Sequence, residues 1–430
     1  MLKHIMCKSV LVGVGLSSLI TFGHAYGTTY YTALTGSDSN SCSSATSQST
    51  PKRTINASLK CLSAGDTLYI RGGQYPEQLH SVFGTSWPSG NSWDNPITIA
   101  GYPGETVIIN PSSNDDTFDI LYMENIQYLI FDNLIIDGSN TNISTGMTLF
   151  RLGGTSHHVR LQNSILRNAH VGCSGMCCAC GYGNAILAGN AGSEFINNEI
   201  YGNDAYGIYM TGNGFLVEGN YIHDNQGYGV HQYSSGQSNA SNNVIRNNRI
   251  HHNGHNNRNP VGSAALILSS GDNNVAYNNV ITDHFGGGIQ IYGYATTNAK
   301  AYNNTIVGNQ GSCIDIQNGS NGNNPAHDSI VRNNICYNNG SDIIDNGRSS
   351  IISNNTSNAT NPQFVNATSA DFHLQATSPA IDAGLTLAIV TMDSVKISRP
   401  QGKGYDIGAY EYVGNQNPAP SNLRVISTQQ

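Results

Sequence analysis

One short motif recurs through the middle of this chain and dictates how it can fold. The segments Leu161-Gln-Asn-Ser-Ile165, Ile196-Asn-Asn-Glu-Ile200, Glu218-Gly-Asn-Tyr-Ile222, Arg246-Asn-Asn-Arg-Ile250, Tyr277-Asn-Asn-Val-Ile281, Tyr302-Asn-Asn-Thr-Ile306 and Arg332-Asn-Asn-Ile-Cys336 align without gaps. Asn133 and Asn355 mark weaker copies at either end. From Asn198 the second Asn recurs at Asn220, Asn248, Asn279, Asn304, Asn334 and Asn355, at intervals of 22, 28, 31, 25, 30 and 21 residues. Self-similarity at such a period signals a stack of like supersecondary units.

The physics of the motif points to a β-solenoid. A paired Asn suits a sharp bend between two strands, because Asn tolerates the left-handed backbone better than most residues. Stacked Asn side chains can also hydrogen-bond from coil to coil as a ladder. The Ile after the bend then points inward. A second motif follows each bend: an Asn, a few residues, a Gly, then an apolar-x-apolar strand, as in Gly207-Ile-Tyr-Met210, Gly229-Val-His-Gln232 and Gly287-Gly-Ile-Gln-Ile291. Each unit buries its faces only against its neighbours, so the array forms one body. The Leu spacing of leucine-rich repeats is absent, and helical periodicity is weak. Composition agrees. Gly numbers 48 of 430 residues and charged residues make up 11%, which suits many short strands and tight turns.

The start of the chain has the pattern of a signal peptide over residues 1–25. Lys3, His4 and Lys8 are followed by an apolar run from Val10 to Phe22 and by Gly23-His24-Ala25. That run is too short to span a bilayer, and no later segment approaches it, so no membrane span is expected. Beyond Cys7 eight cysteines remain, an even number for an oxidising compartment. Cys42 and Cys61 bracket an N-terminal segment, Cys313 and Cys336 lie 23 apart, and Cys173, Cys177, Cys178 and Cys180 cluster. Disulfides are the expected use, since the cluster lacks paired zinc-ligand spacing. A formal net charge of −8 argues against nucleic acid as a partner.

The Asn-Asn-x-Ile…Asn…Gly-Ile pattern resembles the parallel β-helix repeat of polysaccharide lyases and related proteins over roughly residues 120–360. Tyr30 through Tyr75 is similar to their N-terminal capping region. Asp371-Phe-His-Leu through Asp406-Ile-Gly-Ala-Tyr-Glu-Tyr412 is similar to the closing segment of secreted bacterial β-helix proteins. The resemblance implies an all-β, right-handed parallel β-helix (a single-stranded solenoid of the pectin-lyase type) with an N-terminal cap. The expected layout is a signal peptide at 1–25, cap and first coils at 26–118, repeats at 119–360 and a closing segment at 361–413. A linker and tail at 414–430 are similar to the opening of a fibronectin type III module. The resemblance also implies a monomer exported to the periplasm or beyond, acting on an extracellular polysaccharide, like secreted lyases of polysaccharide lyase family 9.

In such proteins a sugar chain lies along one outer sheet, which the resemblance places at the strands after the Gly. Strand alternation then points Ile208, Val230, Ile289 and Ile314 inward and Tyr209, His231, Gln290 and Asp315 outward. Tyr233, Tyr292 and Gln317 form a parallel row, and Leu266-Ile267-Leu268 interrupts the polar one. Insertions at Ala169–Asn184 and Asn253–Ser263 would wall this groove and carry His170, His255 and Arg258. Tyrosines also suit strands anywhere, so the row alone is equally what an inert sheet carries.

For β-elimination next to a uronate carboxylate, His231 is the expected base, with Tyr209 or Tyr233 donating to the leaving oxygen. Asp315 joins them as a catalytic candidate. Tyr292, Gln290, Gln317 and His255 are candidate substrate contacts, and Arg249 or Arg258 would hold the carboxylate. The alternative route uses Ca²⁺ and a Lys or Arg base. Lys300 is the only Lys between Lys60 and Lys396, and no Asp-Asp-x-x-Asp cluster occurs in the repeats, so this chain departs from the calcium-dependent pattern. A glycoside hydrolase would need two carboxylates, drawn from Asp204, Asp224, Asp283 and Asp315. A non-catalytic carbohydrate-binding or adhesin-like solenoid is the competing class. His223, His251 and His252, and likewise Arg160 and Arg167, are expected on solvated faces.

Overall fold

The structure, a computed structural model, describes residues 27–111, 119–141, 146–170, 183–234, 240–254, 264–293, 295–319 and 324–414. Each full turn of the chain contributes one strand to each of three sheets. One rung runs from Leu216–Glu218 through Tyr221–His223 to Val230–Gln232. Like strands of successive rungs pair in parallel, giving one sheet of twelve strands and two of ten. This is the expected right-handed parallel β-helix.

The two asparagines of the motif divide the work at the corner. The first residue takes the left-handed conformation: Asn197 at φ 54°, Gly219 at 68°, Asn247 at 57°, Asn278 at 53°, Asn303 at 48° and Asn333 at 58°. Gly219 fits the series because it meets no steric penalty at that φ. The second Asn builds the ladder. From Asn198 to Asn334, each Nδ2 donates to the Oδ1 of the next rung's Asn at 2.9–3.0 Å, and each backbone N–H donates to the same oxygen. A second ladder at the next corner runs Asn203–Asn225–Asn253 and Asn309–Asn339. His284 stands in the gap and donates its backbone N–H to Asn309. These amides are buried, so the ladders satisfy polar groups that would otherwise each cost about 1–3 kcal/mol.

The residues after the bends, Ile200, Ile222, Ile250, Ile281, Ile306 and Cys336, are all fully buried. They belong to one continuous core that runs from Ile55 to Cys336. The short helix Ile55–Leu59 contributes Ile55 and Leu59 to that core at its N-terminal end. The Gly that opens the second motif faces inward too. A Cβ at Gly229 would lie 2.5 Å from Ile250 Cγ2, so the rung closes only around a residue without one.

Among the described residues two disulfides fasten the body, Cys42–Cys61 and Cys313–Cys336. The second ties Ser312–Ile316 to Ile335–Tyr337 across the interior. Replacing Cys313 and Cys336 together by Ala should lower unfolding free energy by about 2–4 kcal/mol. The check is a denaturant titration in which the variant's midpoint falls below the parent's without reductant and the two converge with it, since Cys42–Cys61 is then open in both. The Cys173–Cys180 cluster, residues 1–26 and residues 415–430 lie outside the described residues.

The closing segment begins with an antiparallel pair, Phe364–Asn366 and Asp371–Leu374. It then lies against the outside of the last rungs, burying Phe364, Phe372, Ile407 and Tyr410 against Val280 and Ile335. The left-handed asparagines are its docking points. Nδ2 of Asn278, Asn303 and Asn333 donates to the carbonyls of Met392, Asp406 and Leu385 at 2.7, 3.0 and 2.8 Å. The same residue that bends the rung therefore recruits the segment that covers it.

Candidate functional site

The ten-stranded sheet that follows the Gly carries its outward side chains in register. One row reads Leu187, Tyr209, His231, Ile267, Gln290, Asp315 and Ile344. Ile208, Val230, Ile289 and Ile314 point into the core as expected. Tyr233, Tyr292 and Gln317 extend the ladder two residues on, donating to the carbonyls of Met210, Leu268 and Ile291.

His231 is the centre of an aromatic platform. Its ring lies parallel to Tyr209 and Tyr228, both at 4.6 Å, and to Tyr233 at 5.6 Å, and Tyr206 meets it edge-on at 4.7 Å. All five rings are half-buried. His231 Nδ1 is buried and accepts or donates no hydrogen bond among the described residues. Burial pushes the imidazole down to about 3, so it is neutral at neutral pH. Tyr206 and Tyr228 were not singled out from sequence, although each occupies the same place in a repeated Tyr-Gly-aliphatic triplet, Tyr206-Gly-Ile208 and Tyr228-Gly-Val230.

Asp315 is not beside His231. Ile267 and Gln290 intervene, which places it about 14 Å away along the sheet at the usual strand spacing. It accepts a 2.6 Å hydrogen bond from Gln317 Nε2, and burial raises its carboxyl above the usual range. Gln290 points outward yet is only 6% exposed, and Ile267 3%, so the stretch between the platform and Asp315 is covered.

Arg249 is not on this sheet at all. It lies on Arg249–His251, in the other ten-stranded sheet, with its guanidinium 5.1 Å over the Tyr221 ring. The sheet assignment is what alternation alone could not settle, because Arg249 precedes the inward Ile250 just as Tyr209 follows the inward Ile208. Lys300 lies on the twelve-stranded sheet, with its Nζ donating to Asn298 O. His255 and Arg258 lie outside the described residues. Asp224 and Asp283 sit in left-handed corners before the groove strands. There Asp224 bridges His223 at 2.7 Å and His252 at 2.5 Å, and Asp283 lies 3.5 Å from His251 Nδ1, so both carboxylates meet histidines of the other ten-stranded sheet and not Asp315. Arg160 and Arg167 are paired with Glu194 and Asp137.

A second polar cluster occupies the N-terminal rungs of the same sheet, and sequence reasoning missed it. Arg151 Nη1 meets Asp119 Oδ2 at 3.1 Å, and its guanidinium lies 5.0 Å over the Tyr122 ring. The Tyr122 hydroxyl donates to Glu124, and the His80 ring lies 4.6 Å from Tyr122. These rungs carry only degenerate copies of the motif at Asn133 and Leu161–Ile165, and the second pairs one residue out of the sequence alignment, with Leu166 and not Ile165 beside Ile200, so the register could not be carried to them from sequence.

Calcium, one candidate cofactor, needs several oxygen ligands converging on one point. Among the described residues no group of three or more His, Cys, Asp or Glu is arranged to hold a metal ion, and the outward row from Leu187 to Ile344 offers Asp315 alone. These residues do not fit a calcium centre.

Comparison with known proteins agrees with this architecture. The family model described as a right-handed beta helix region matches residues 184–357. No curated protein sequence matches the chain. Among solved structures, pectate lyase Pel9A superposes with a TM-score of 0.59 at 17% identity, over 89% of this chain and 96% of that one. A GH136 lacto-N-biosidase from Eubacterium ramulus superposes with a TM-score of 0.50 at 13% identity, over 76% of this chain and 67% of that one. At those identities the likeness is one of fold. The chain is a right-handed parallel β-helix protein with a pectate-lyase-like fold.

Proposed function

We propose that this protein is exported and binds an extracellular polysaccharide along the outer face of the ten-stranded sheet, cleaving a uronate-containing chain there by β-elimination. The observation that carries the reading is the platform of Tyr206, Tyr209, Tyr228, His231 and Tyr233 on two adjacent rungs. Aromatic faces stack on sugar rings, and rungs about 4.8 Å apart give a chain a repeating track. Within the platform, His231 is the candidate base. It is neutral, and so able to accept a proton, at neutral pH. A uronate carboxylate arriving beside it would raise its basicity. Tyr209 or Tyr233 is the candidate donor to the leaving oxygen. Two disulfides and the leader-like start support export. No helix among the described residues is long and apolar enough to cross a membrane.

A second reading, a carbohydrate-binding solenoid without catalysis, is favoured by one observation. The five rings of the platform include no cation to neutralise a carboxylate, and Arg249 lies on another sheet. The deciding experiment mixes the protein with pectate, alginate and chondroitin sulfate, with calcium or with chelator, and follows the ultraviolet absorbance of unsaturated uronate. The expected result is a rise on one polymer, reduced at least about 100-fold in rate by His231→Ala. Binding without a rise on any polymer would replace the lyase reading by the second one.

A further inference from the structure

The outward row of the groove sheet does not stop at the platform. Towards the N-terminus it continues in register through Leu187, Arg151 and Tyr122 to His80. At about 4.8 Å per rung, His80 lies about 24 Å from His231 along one straight track. Phe83 stands over this end. Its ring is 4.4 Å from His80, yet the residue is 60% exposed.

That exposure is held in place. The turn Ser81–Phe83 is braced on the sheet by Ser81 Oγ, which donates to Tyr122 O at 3.1 Å and accepts from Glu124 N at 3.1 Å. Trp87 Nε1 donates to the same Tyr122 carbonyl at 2.9 Å. An aromatic ring fixed in water over a polar cluster has the form of a stacking surface for a ligand with one apolar face and many hydroxyls. Charge narrows the ligand further. Among the described residues of the cluster Arg151 is the one full cation, its side chain 34% exposed; it is paired with Asp119, and Glu124 is held nearby by the Tyr122 hydroxyl. Burial, with Arg151 nearby, lowers His80 to about 4, so it adds no charge at neutral pH. A second carboxylate would meet net repulsion, whereas hydroxyls can donate to Glu124 and accept from Arg151.

We infer that the N-terminal rungs form a distal subsite for an uncharged sugar unit of the same polysaccharide, stacked on Phe83 and hydrogen-bonded by Glu124 and Arg151. The preferred chain is then a heteropolysaccharide, with uncharged units about five rungs from the platform. This rests on the groove reading above, and the test separates the two.

Binding of Phe83→Ala, Tyr209→Ala and the parent protein would be measured by calorimetry on rhamnogalacturonan and arabinoxylan, which carry uncharged sugars, on homogalacturonan, and on a uronate disaccharide. Phe83→Ala should weaken binding to a polymer carrying uncharged sugars by about 3- to 10-fold, the size of one aromatic contact. It should leave disaccharide and homogalacturonan binding unchanged, while Tyr209→Ala weakens all of them. Phe83→Tyr should restore the parent affinity. Loss in Tyr209→Ala without loss in Phe83→Ala would overturn the subsite and keep the groove. Equal loss in Phe83→Ala on homogalacturonan would overturn the preference for an uncharged unit. No loss in either variant on any polymer would overturn both.

Discussion

Acidification from pH 7 to pH 4 should destabilise this protein steeply, and replacing His231 should remove about half of the effect. The neutral imidazole of His231 is packed among four tyrosines, and burial lowers it from an ordinary 6.5 to about 3. His80 is lowered to about 4 by burial first and by Arg151 second. A depressed histidine binds fewer protons folded than unfolded. Stability therefore rises with pH across the gap, is fully present above the unfolded value near 6.5, and is lost as pH falls through the window to about 3. At 1.36 kcal/mol per unit, His231 contributes up to about 5 kcal/mol over its window and His80 up to about 3 kcal/mol. Both are upper bounds, because water reaches part of the platform. Denaturant midpoints of the parent protein, His231→Phe and His80→Gln should be compared at pH 7, 5.5 and 4. His231→Phe should roughly halve the pH dependence while leaving pH 7 stability within about 1–2 kcal/mol, since a ring of similar volume fills the same stack. An unchanged slope would show that His231 is solvated enough to protonate in place.

That packing also explains what could and could not be read from the residues. The fold was legible because the bend chemistry is local. The left-handed position and the ladder both need Asn, so each corner writes itself into the sequence as Asn-Asn. The inward positions after it could be numbered from there. The row Tyr209, His231, Gln290, Asp315 followed by alternation, and the register bears it out. What failed is what depends on the other faces of the rung. Arg249 obeys the same alternation on a different sheet, and nothing local distinguishes outward towards a groove from outward towards a closing segment. Burial depresses His231, and two of the rings packed on it, Tyr206 and Tyr228, come from the turns before two successive strands. The N-terminal cluster was silent because Asp119, Tyr122 and Arg151 are brought to one face by rungs whose corner marker is degenerate. Local chemistry therefore fixes the coil, and pairings between rungs and between sheets make the site.

Arg399→Ala is expected to cost about 3–5 kcal/mol, as much as any single substitution outside the coil core, although Arg399 lies far from the groove strands in sequence. Its side chain and that of Glu411 are both 0% exposed, with Nη1 and Oε1 2.6 Å apart. Nη1 also donates to Asp406 O, and Nη2 donates to Gly408 O at 2.8 Å and to Asn278 Oδ1 at 3.1 Å. The guanidinium thus joins three parts of the closing segment to a left-handed corner of the coil. Alanine would leave Glu411 buried without its counter-ion and free several acceptors at once. Lysine should fail nearly as badly, because a single ammonium cannot serve acceptors spread over a planar fork. Removing both charges, as Arg399→Met with Glu411→Leu, should recover much of the loss, since the desolvation of two ions disappears with the pair. Amide hydrogen exchange locates the damage. In Arg399→Ala, protection should fall first across residues 385–412 and at Val280, Val307 and Ile335, whose outer faces the segment covers. The rungs bearing Tyr209 and His231 should keep theirs. If Arg399→Ala instead unfolds all rungs together at the parent's midpoint, the segment is not held by this pair and the corner asparagines alone fasten it.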